Sequence, residues 1–465
     1  MLCTRFAPSP TGLLHLGNIR TALLSYLWAQ NNNAKLVLRF DDTDRVDTKY
    51  IDAIRNDLSW MGIKFDKEIF QSERNAIYSK WIEICKEKGI IYPAYETKEE
   101  LDELRNRLSK EKKAPVYKKH YAKEKDGLSS GLEPHWRFEL PNIKIEWNDI
   151  IRGKVSINLK SVSDPIIQKS DGSFTYMFTS VIDDIEEQIS HIFRGEDHVT
   201  NTAIQIYMFD QINNLQIEYG HLPILLNKHG QRMSKRNNDE SIKDLREEGF
   251  FPMTLSNQMV FIGKNEFHLC KSLDNLKDFA DLKYSSSQIR WSKKEALKIQ
   301  HKFVQSIKND DLATYFGEQF GKWDLIKNEI TFKQDFVDWK DIFEKKQIVS
   351  EEKTDLNYLN DLSLNTNNMQ LDTNSSTLNT DDSKNNRNNQ STNLHELLNK
   401  SLDNIQATNW SAILEDIKNM ENGKAILKKL RLILTGKKFG PSLLELLGNM
   451  DQEIIIFRLK NALSK

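Results

Sequence analysis

The chain has 465 residues, 38% of them hydrophobic and 29% charged, which is too long for one compact core and predicts two to four domains, each burying its own apolar face. Lys plus Arg (66) nearly cancels Asp plus Glu (67), so a formal net charge of −1 excludes a global attraction to nucleic acid or membrane and confines any basic surface to local patches. Cys3, Cys85 and Cys270 are the only cysteines, odd in number and far apart, which excludes a disulfide scaffold and a cysteine-rich zinc site.

The amino-terminal MLCTRFAPSP lacks a charged stretch followed by an apolar run, and no run elsewhere approaches the roughly 18 apolar residues a membrane span needs. A soluble, cytoplasmic protein with no membrane partner is expected. In chain order, Thr4 to Ala7 reads as extended, Asn18 to Gln30 as helical, Leu36 to Phe40 as a strand and Lys49 to Met61 as helical, an alternation that predicts a parallel sheet. A basic segment from Arg105 to Lys125, with half-alternating stretches at Trp136 to Leu140 and Lys154 to Leu159, predicts a mixed insert with short strands; a solvated charged helix is the plainer alternative for the basic part. Helix and strand patterns resume from Phe174 to Leu226 and complete the first sheet. From Asp239 onward the periodicity is mainly helical, with amphipathic pieces at Asp311 to Phe320, Leu394 to Leu402 and Ser442 to Leu447. Between Thr354 and Asn393 the composition collapses into Asn, Ser, Thr and Asp, too few apolar residues to offset ordering entropy, so a disordered insertion is predicted.

The chain carries neither GxGxxG nor GxxxxGK[ST], so any phosphate chemistry rests on other residues. The string TRFAPSPTGLLHLGNIRTAL, Thr4 to Leu23, reads as a strand, a Pro, Ser and Gly turn, and a helix whose first turn holds His15 and Gly17. Free amides at a helix start attract anions, Gly17 lets a flat base or phosphate approach the backbone, and His15 can donate to a phosphate oxygen. The second string is Arg232-Met233-Ser234-Lys235-Arg236, a basic loop in which Lys235 can neutralise departing phosphates. Alone, either string is better explained as an ordinary cap or a solvated surface; together and in this order they point to one chemistry.

The first string resembles the HIGH motif region of class I aminoacyl-tRNA synthetases, with His15-Leu16-Gly17-Asn18 on the four signature residues, and RFAPSPTG resembles the glutamyl branch. The second resembles the KMSKS loop that closes over ATP, with Arg232 in place of its first lysine. The resemblance implies a Rossmann-like α/β catalytic domain with an α+β insert and an all-helical carboxyl-terminal anticodon-binding region. It implies a glutamate–tRNA ligase that makes glutamyl-adenylate from L-glutamate and ATP with Mg2+, then transfers glutamate to tRNA-Glu, with a requirement for bound tRNA before activation. His15 and Lys235 are then the catalytic pair. ATP is expected at Ala7, Ser9, His15, Gly17, Asn18, Asp197, His198, Leu225, Met233, Ser234 and Lys235. Glutamate, with two carboxylates and one ammonium, is expected at Arg5, Ala7, Ser9, Asp41, Tyr176 and Arg194. Asp41 in LRFDDTD stands where the family has a glutamate that meets the substrate ammonium, one methylene longer; a capping cluster ahead of a helix is the alternative for Asp42 and Asp44.

Expected boundaries are 1–90 and 181–238 for the two halves of the catalytic domain, 91–180 for an acceptor-binding insert, 239–310 for a stem-contact domain and 311–465 for the anticodon-binding domain with its insertion at 354–393. No zinc is expected, because Tyr92-Pro93-Ala94-Tyr95 offers no thiolate where some relatives carry a cysteine cluster. A monomer is expected from the resemblance. Two alternatives stay open: a form that also or mainly glutamylates tRNA-Gln, and an inactive RNA-binding paralogue.

Overall fold

The computed structural model describes residues 1–43, 47–122, 133–233, 240–285, 287–348, 402, 405, 408–420 and 422–463. The chain divides into two compact units, Met1–Gln300 and His301–Lys465.

In the first unit the strands Cys3–Phe6 (β1), Lys35–Phe40 (β2) and Lys67–Phe70 (β3) alternate with the helices Leu16–Asn31 (α1), Thr48–Trp60 (α2) and Asn75–Glu87 (α3). The chain then leaves the sheet through strand Ile91–Ala94 (β4), helix Lys98–Lys110 (α4) and strands His135–Phe138 (β5), Lys144–Asp149 (β6), Gly153–Asn158 (β7) and Ile166–Gln168 (β8). It returns with helix Tyr176–Glu186 (α5), strand His191–Gly195 (β9), helix Val199–Ile212 (α6) and strand Glu218–Leu222 (β10). Residues Cys3 to Phe6 are buried at every position and β2 at all but its first, as in a strand covered on both faces, although each strand carries one buried arginine, Arg5 and Arg39.

The five-stranded sheet has the order β10-β9-β1-β2-β3, and all its paired strands run parallel. The order reverses between β1 and β9, so the carboxyl ends of these two strands open the crevice in which doubly wound sheets bind ligands. One face alternates Cys3, Val37, Ile69, Ile192 and Tyr219 into an apolar cluster. Two residues further along β1, β2, β9 and β10, that same face carries Arg5, Arg39, Arg194 and His221. The opposite face carries Phe193 against Trp28 of α1, with ring centroids 5.3 Å apart.

The interruption in the sheet is built of an antiparallel β4-β5-β8 sheet and a β6-β7 hairpin, the short strands foreseen at Trp136 to Leu140 and Lys154 to Leu159. Of the basic segment, Arg105 to Lys110 forms the end of α4, a helix opened by a Thr97–Glu100 capping box with one buried residue, Leu108, whereas Lys112 to Lys118 lie outside any helix and Lys123 to Lys125 lie outside the described residues. After β10 come strand Leu225–Leu226 (β11), helices Ile242–Glu247 (α7), Pro252–Phe261 (α8) and Leu273–Lys277 (α9), strand Ile289–Arg290 (β12) and helix Lys293–Gln305 (α10). The parallel β11–β12 pair departs from the helical reading of this region; two residues are too few to print a period of two on the sequence.

The second unit contains helices Leu312–Phe316 (α11), Trp323–Ile326 (α12), Lys333–Glu344 (α13), Trp410–Asn419 (α14), Gly423–Thr435 (α15), Leu443–Asn449 (α16) and Gln452–Leu463 (α17). The helix expected from Asp311 to Phe320 stops at Phe316 because Gly317 takes φ +90°, a left-handed cap. Of the stretch Leu394 to Leu402 only Leu402 is described, and the Asn-rich tract 354–393 lies outside the described residues. Among the described residues no helix is long and apolar enough to cross a membrane.

Within the insert, His135 Nε2 accepts from Arg137 Nε at 3.0 Å and lies 4.0 Å from a Glu96 carboxylate oxygen. Burial first, then the Arg137 charge, push its pKa from 6.5 to about 4. The unfolded imidazole therefore takes up its proton at a higher pH than the folded one, and the contribution of His135 to stability is full above pH 6.5 and is lost as pH falls toward 4. Denaturant unfolding measured from pH 7 to pH 4 should show His135→Gln losing less stability than the parent over that window, by up to about 3 kcal/mol.

Candidate active site

The turn between β1 and α1 sets the first wall. His15 is the N-cap of α1, and its Nδ1 accepts from the amides of Gly17 at 3.1 Å and Asn18 at 3.4 Å, while the Asn18 carboxamide oxygen accepts from the His15 amide at 3.3 Å. Because Nδ1 accepts, the ring proton of neutral His15 sits on Nε2, which leaves that nitrogen as a donor. A Cβ on residue 17 would stand 2.9 Å from His15 Cε1, so glycine here holds the imidazole against the helix start.

Arg5, Ala7, Ser9, His15, Gly17, Asn18, Asp41, Tyr176, Arg194, Asp197, His198, Leu225 and Met233 all line one cavity of about 310 Å³ at the carboxyl ends of β1 and β9. The structure thus brings every described residue of the expected ATP and glutamate sets to one place. Ser234 and Lys235 lie outside the described residues, as does Asp44. On either side of that stretch, Met233 donates from its amide to Leu225 O at 3.2 Å, Arg232 pairs with Asp197 at 2.8 Å, and Ser241 bridges to His15. The described residues flanking this stretch are therefore bonded to the cavity wall.

Arg5 and Asp41 join a row of buried charges with Arg39, Asp183 and Asp184, which the sequence did not single out. Arg5 donates to Asp184 at 3.2 Å, and Arg39 donates to Asp184 at 2.9 Å and grips Asp41 with two bonds of 2.7 and 3.3 Å. Asp183, beside Asp184 on α5, accepts from Gln71, Arg74 and Tyr78. Burial opposes the charge on Arg39, but Asp41, Asp184 and Asp183 outweigh it and hold its pKa well above the usual value. Burial also raises the pKa of Asp41, against the pull of Arg39. Asp42 turns away from this row and accepts from the amide and hydroxyl of Ser72, which is a structural bond between loops.

Arg194 is different. Its guanidinium is 6% exposed as a residue and its partners are neutral: Nη2 donates to Thr202 Oγ1 at 2.6 Å and Gln205 Oε1 at 2.8 Å, and Nε faces His221 Nε2 at 3.4 Å. Nη1 is buried with no hydrogen-bond partner among the described residues. A buried cation without a carboxylate is costly, and here burial lowers its pKa. Such a site is complete when an anion enters. His198, whose ring centroid lies 6.1 Å from that of Tyr176, is held neutral, since burial and then Arg194 lower its pKa to about 4.

Asp183, Asp184, Thr202, Gln205 and His221 were missed in the sequence. Asp183, Asp184 and His221 reach partners far along the chain, Thr202 and Gln205 meet Arg194 only through the turn from β9 into α6, and only the doubled acid of VIDDIEE within an otherwise apolar helix face hinted at a buried pair.

Among the described residues no group of three or more His, Cys, Asp and Glu is placed to hold a metal ion, and Cys3, Cys85 and Cys270 are each buried and free. The carboxylates lining the cavity are committed to guanidinium partners, Asp41 to Arg39 and Asp197 to Arg232. A Mg2+ ion would fit here on the phosphates of ATP and its own waters rather than in a protein cage.

Residues 1–299 match the family of class I tRNA synthetases (E and Q), catalytic domain, and residues 323–463 match an anticodon binding domain. The chain is 38% identical to "Glutamate--tRNA ligase 2" of Bartonella bacilliformis over 99% of its own length and 100% of that protein. It is 35% identical to "Glutamate--tRNA ligase 2" of Bartonella henselae over 99% of each. Its fold is similar to the crystal structure of glutamate-tRNA synthetase from Elizabethkingia anophelis, with a TM-score of 0.73, 25% identity and 100% of both chains covered. With a parallel sheet whose switch point opens on the HIGH-like turn, and with matches along nearly the whole chain, this protein belongs to the class I glutamate–tRNA ligase family.

Proposed function

We propose that the cavity binds L-glutamate beside ATP and joins them as glutamyl-adenylate, and that the enzyme then passes glutamate to the terminal adenosine of tRNA-Glu. The observation that carries this reading is Arg194: a buried guanidinium with neutral partners and an unpartnered Nη1, on the same wall as Arg5. In this reading Arg194, Arg5 and the Tyr176 hydroxyl hold the side-chain carboxylate. Glutamine, carrying no charge there, would leave Arg194 uncompensated, which is the larger penalty in a dry site.

Asp41, fixed by Arg39, takes the ammonium. Ala7 and Ser9 flank the amino acid and the phosphates, and Gly17, Asn18, Asp197, His198, Leu225 and Met233 form the nucleotide wall. The α-carboxylate attacks the α-phosphorus of ATP, the bond to the bridging oxygen breaks, and pyrophosphate leaves. His15 Nε2–H donates to a phosphate oxygen as charge develops, and Lys235 neutralises the departing group. Mg2+ bound to the phosphates supplies further charge neutralisation. The rest is positioning, for which no covalent nucleophile is needed.

For tRNA we propose residues 91–180 as the grip on the acceptor end, 239–310 on the stem and 311–465 on the anticodon; the anticodon-domain match over 323–463 supports the last.

Pyrophosphate exchange and aminoacylation with glutamate and glutamine, without tRNA and then with tRNA-Glu or tRNA-Gln, test the reading. Glutamate-dependent exchange that requires tRNA-Glu is expected; charging of tRNA-Gln would assign the relaxed specificity, and no activity with either tRNA would assign the inactive paralogue. His15→Asn keeps a side chain able to cap α1, so its stability should stay within about 1 kcal/mol of the parent. It loses the Nε2 donor, and activation should slow by about 10²- to 10³-fold. An unslowed His15→Asn would remove His15 from the chemistry.

A further inference from the structure

The buried residues behind Arg194 are tied to the insert. His221 on β10 is fully buried, and its Nδ1 lies 2.5 Å from Asp149 Oδ2. Asp149 is the last residue of β6; its other oxygen accepts from the amides of Ile151, Arg152 and His221, each at 3.0 Å. The carboxylate cannot donate, so the imidazole proton is on Nδ1 and Nε2 is left as an acceptor. That bare nitrogen is the one facing Arg194 Nε at 3.4 Å and Thr202 Oγ1 at 2.7 Å. Thr202, donating toward His221, is in turn free to accept from Arg194 Nη2. The acceptor that His221 presents to Arg194 Nε and to the Thr202 hydroxyl therefore follows from the charge on Asp149, while the bond to Gln205 does not depend on it and Thr202 Oγ1 also lies 3.1 Å from His198 O.

We propose that Asp149 and His221 are positioning residues for amino-acid binding: Asp149 fixes the His221 tautomer, and the tautomer fixes Arg194 in the rotamer that presents Nη1 to the substrate carboxylate. This deepens the proposed function and rests on Arg194 binding glutamate. Neither residue lines the cavity, and neither touches substrate. The same turn sends a second tie to the site: Arg152 pairs with Glu196, whose other oxygen accepts from the Ile224 amide at 3.1 Å, and Ile224 lines the cavity. Ile150 donates to Tyr219 O at 2.8 Å, so the turn is also bonded to the strand that carries His221. A hairpin that belongs to the insert thereby sets the geometry of the amino-acid site.

Burial lowers the His221 pKa, and although burial alone would raise that of Asp149, its hydrogen bonds from His221 and Arg152 bring it to about 2, so the pair is a neutral imidazole on a charged carboxylate at neutral pH.

Asp149→Asn tests this. The carboxamide oxygen keeps the three backbone amides, but its NH2 now donates to Nδ1, which moves the ring proton to Nε2 and sets N–H against N–H at Arg194. The KM for glutamate in tRNA-dependent exchange should rise about tenfold or more, the size of losing one hydrogen bond to a charged group, with kcat and the KM for ATP within about twofold of the parent. Adding His221→Gln should recover most of that loss, because a rotatable carboxamide can turn its oxygen toward Arg194. An unchanged glutamate KM in Asp149→Asn, a rise shared equally by ATP, or no recovery in the double variant would overturn the proposal. Arg194→Ala separates the two levels: if it leaves the glutamate KM unchanged, the reading of the site fails, whereas a raised KM there beside a normal Asp149→Asn defeats only the positioning role.

Discussion

A guanidinium buried without a carboxylate is the constraint on which this site depends. Arg5 and Arg39 share Asp184, and Arg39 also clamps Asp41, so those charges are balanced within the protein. Arg194 is left with a hydroxyl, a carboxamide and an imidazole. A protein that needed only stability would replace such a group with an apolar side chain of similar volume. Keeping it leaves a deficit that, in the proposed function, an anionic substrate relieves. The neighbouring balanced pairs matter as much, because they hold Arg5 and Asp41 in fixed rotamers and leave little reorganisation for the moment of binding.

The same economy runs through the wall that α1 contributes to the cavity. The His15 imidazole uses one nitrogen to cap α1, and that bond dictates which nitrogen can donate into the cavity. Gly17 is required by the packing of this ring as well as by the approach of a ligand. Cap, tautomer and donor are thus one arrangement, in which a structural bond and a hydrogen-bond donor are carried by opposite edges of a single side chain.

Much of this was legible in the sequence, for a physical reason. Thr4 to Leu23 encodes a strand, a turn and a capped helix through neighbours a few positions apart, and LRFDDTD encodes a buried strand followed by acids; both were placed to within a residue or two. The cavity lining was readable because the family strings carry it. What escaped were contacts made only by folding: Arg5 with Asp184, 179 residues away, and Asp149 with His221, 72 away. A buried charge looks like a solvated one until its partner is known. Breaks such as Gly317, and a strand as short as β12, also left no period to read.

The most direct measurement is a crystal structure with a non-hydrolysable glutamyl-adenylate analogue. The account predicts the side-chain carboxylate within hydrogen-bond distance of Arg194 Nη1, with Arg194 still held by Thr202, Gln205 and His221, and the ammonium on Asp41. An analogue bound with Arg194 Nη1 still unpartnered, or with its side-chain carboxylate turned away from this wall, would contradict it.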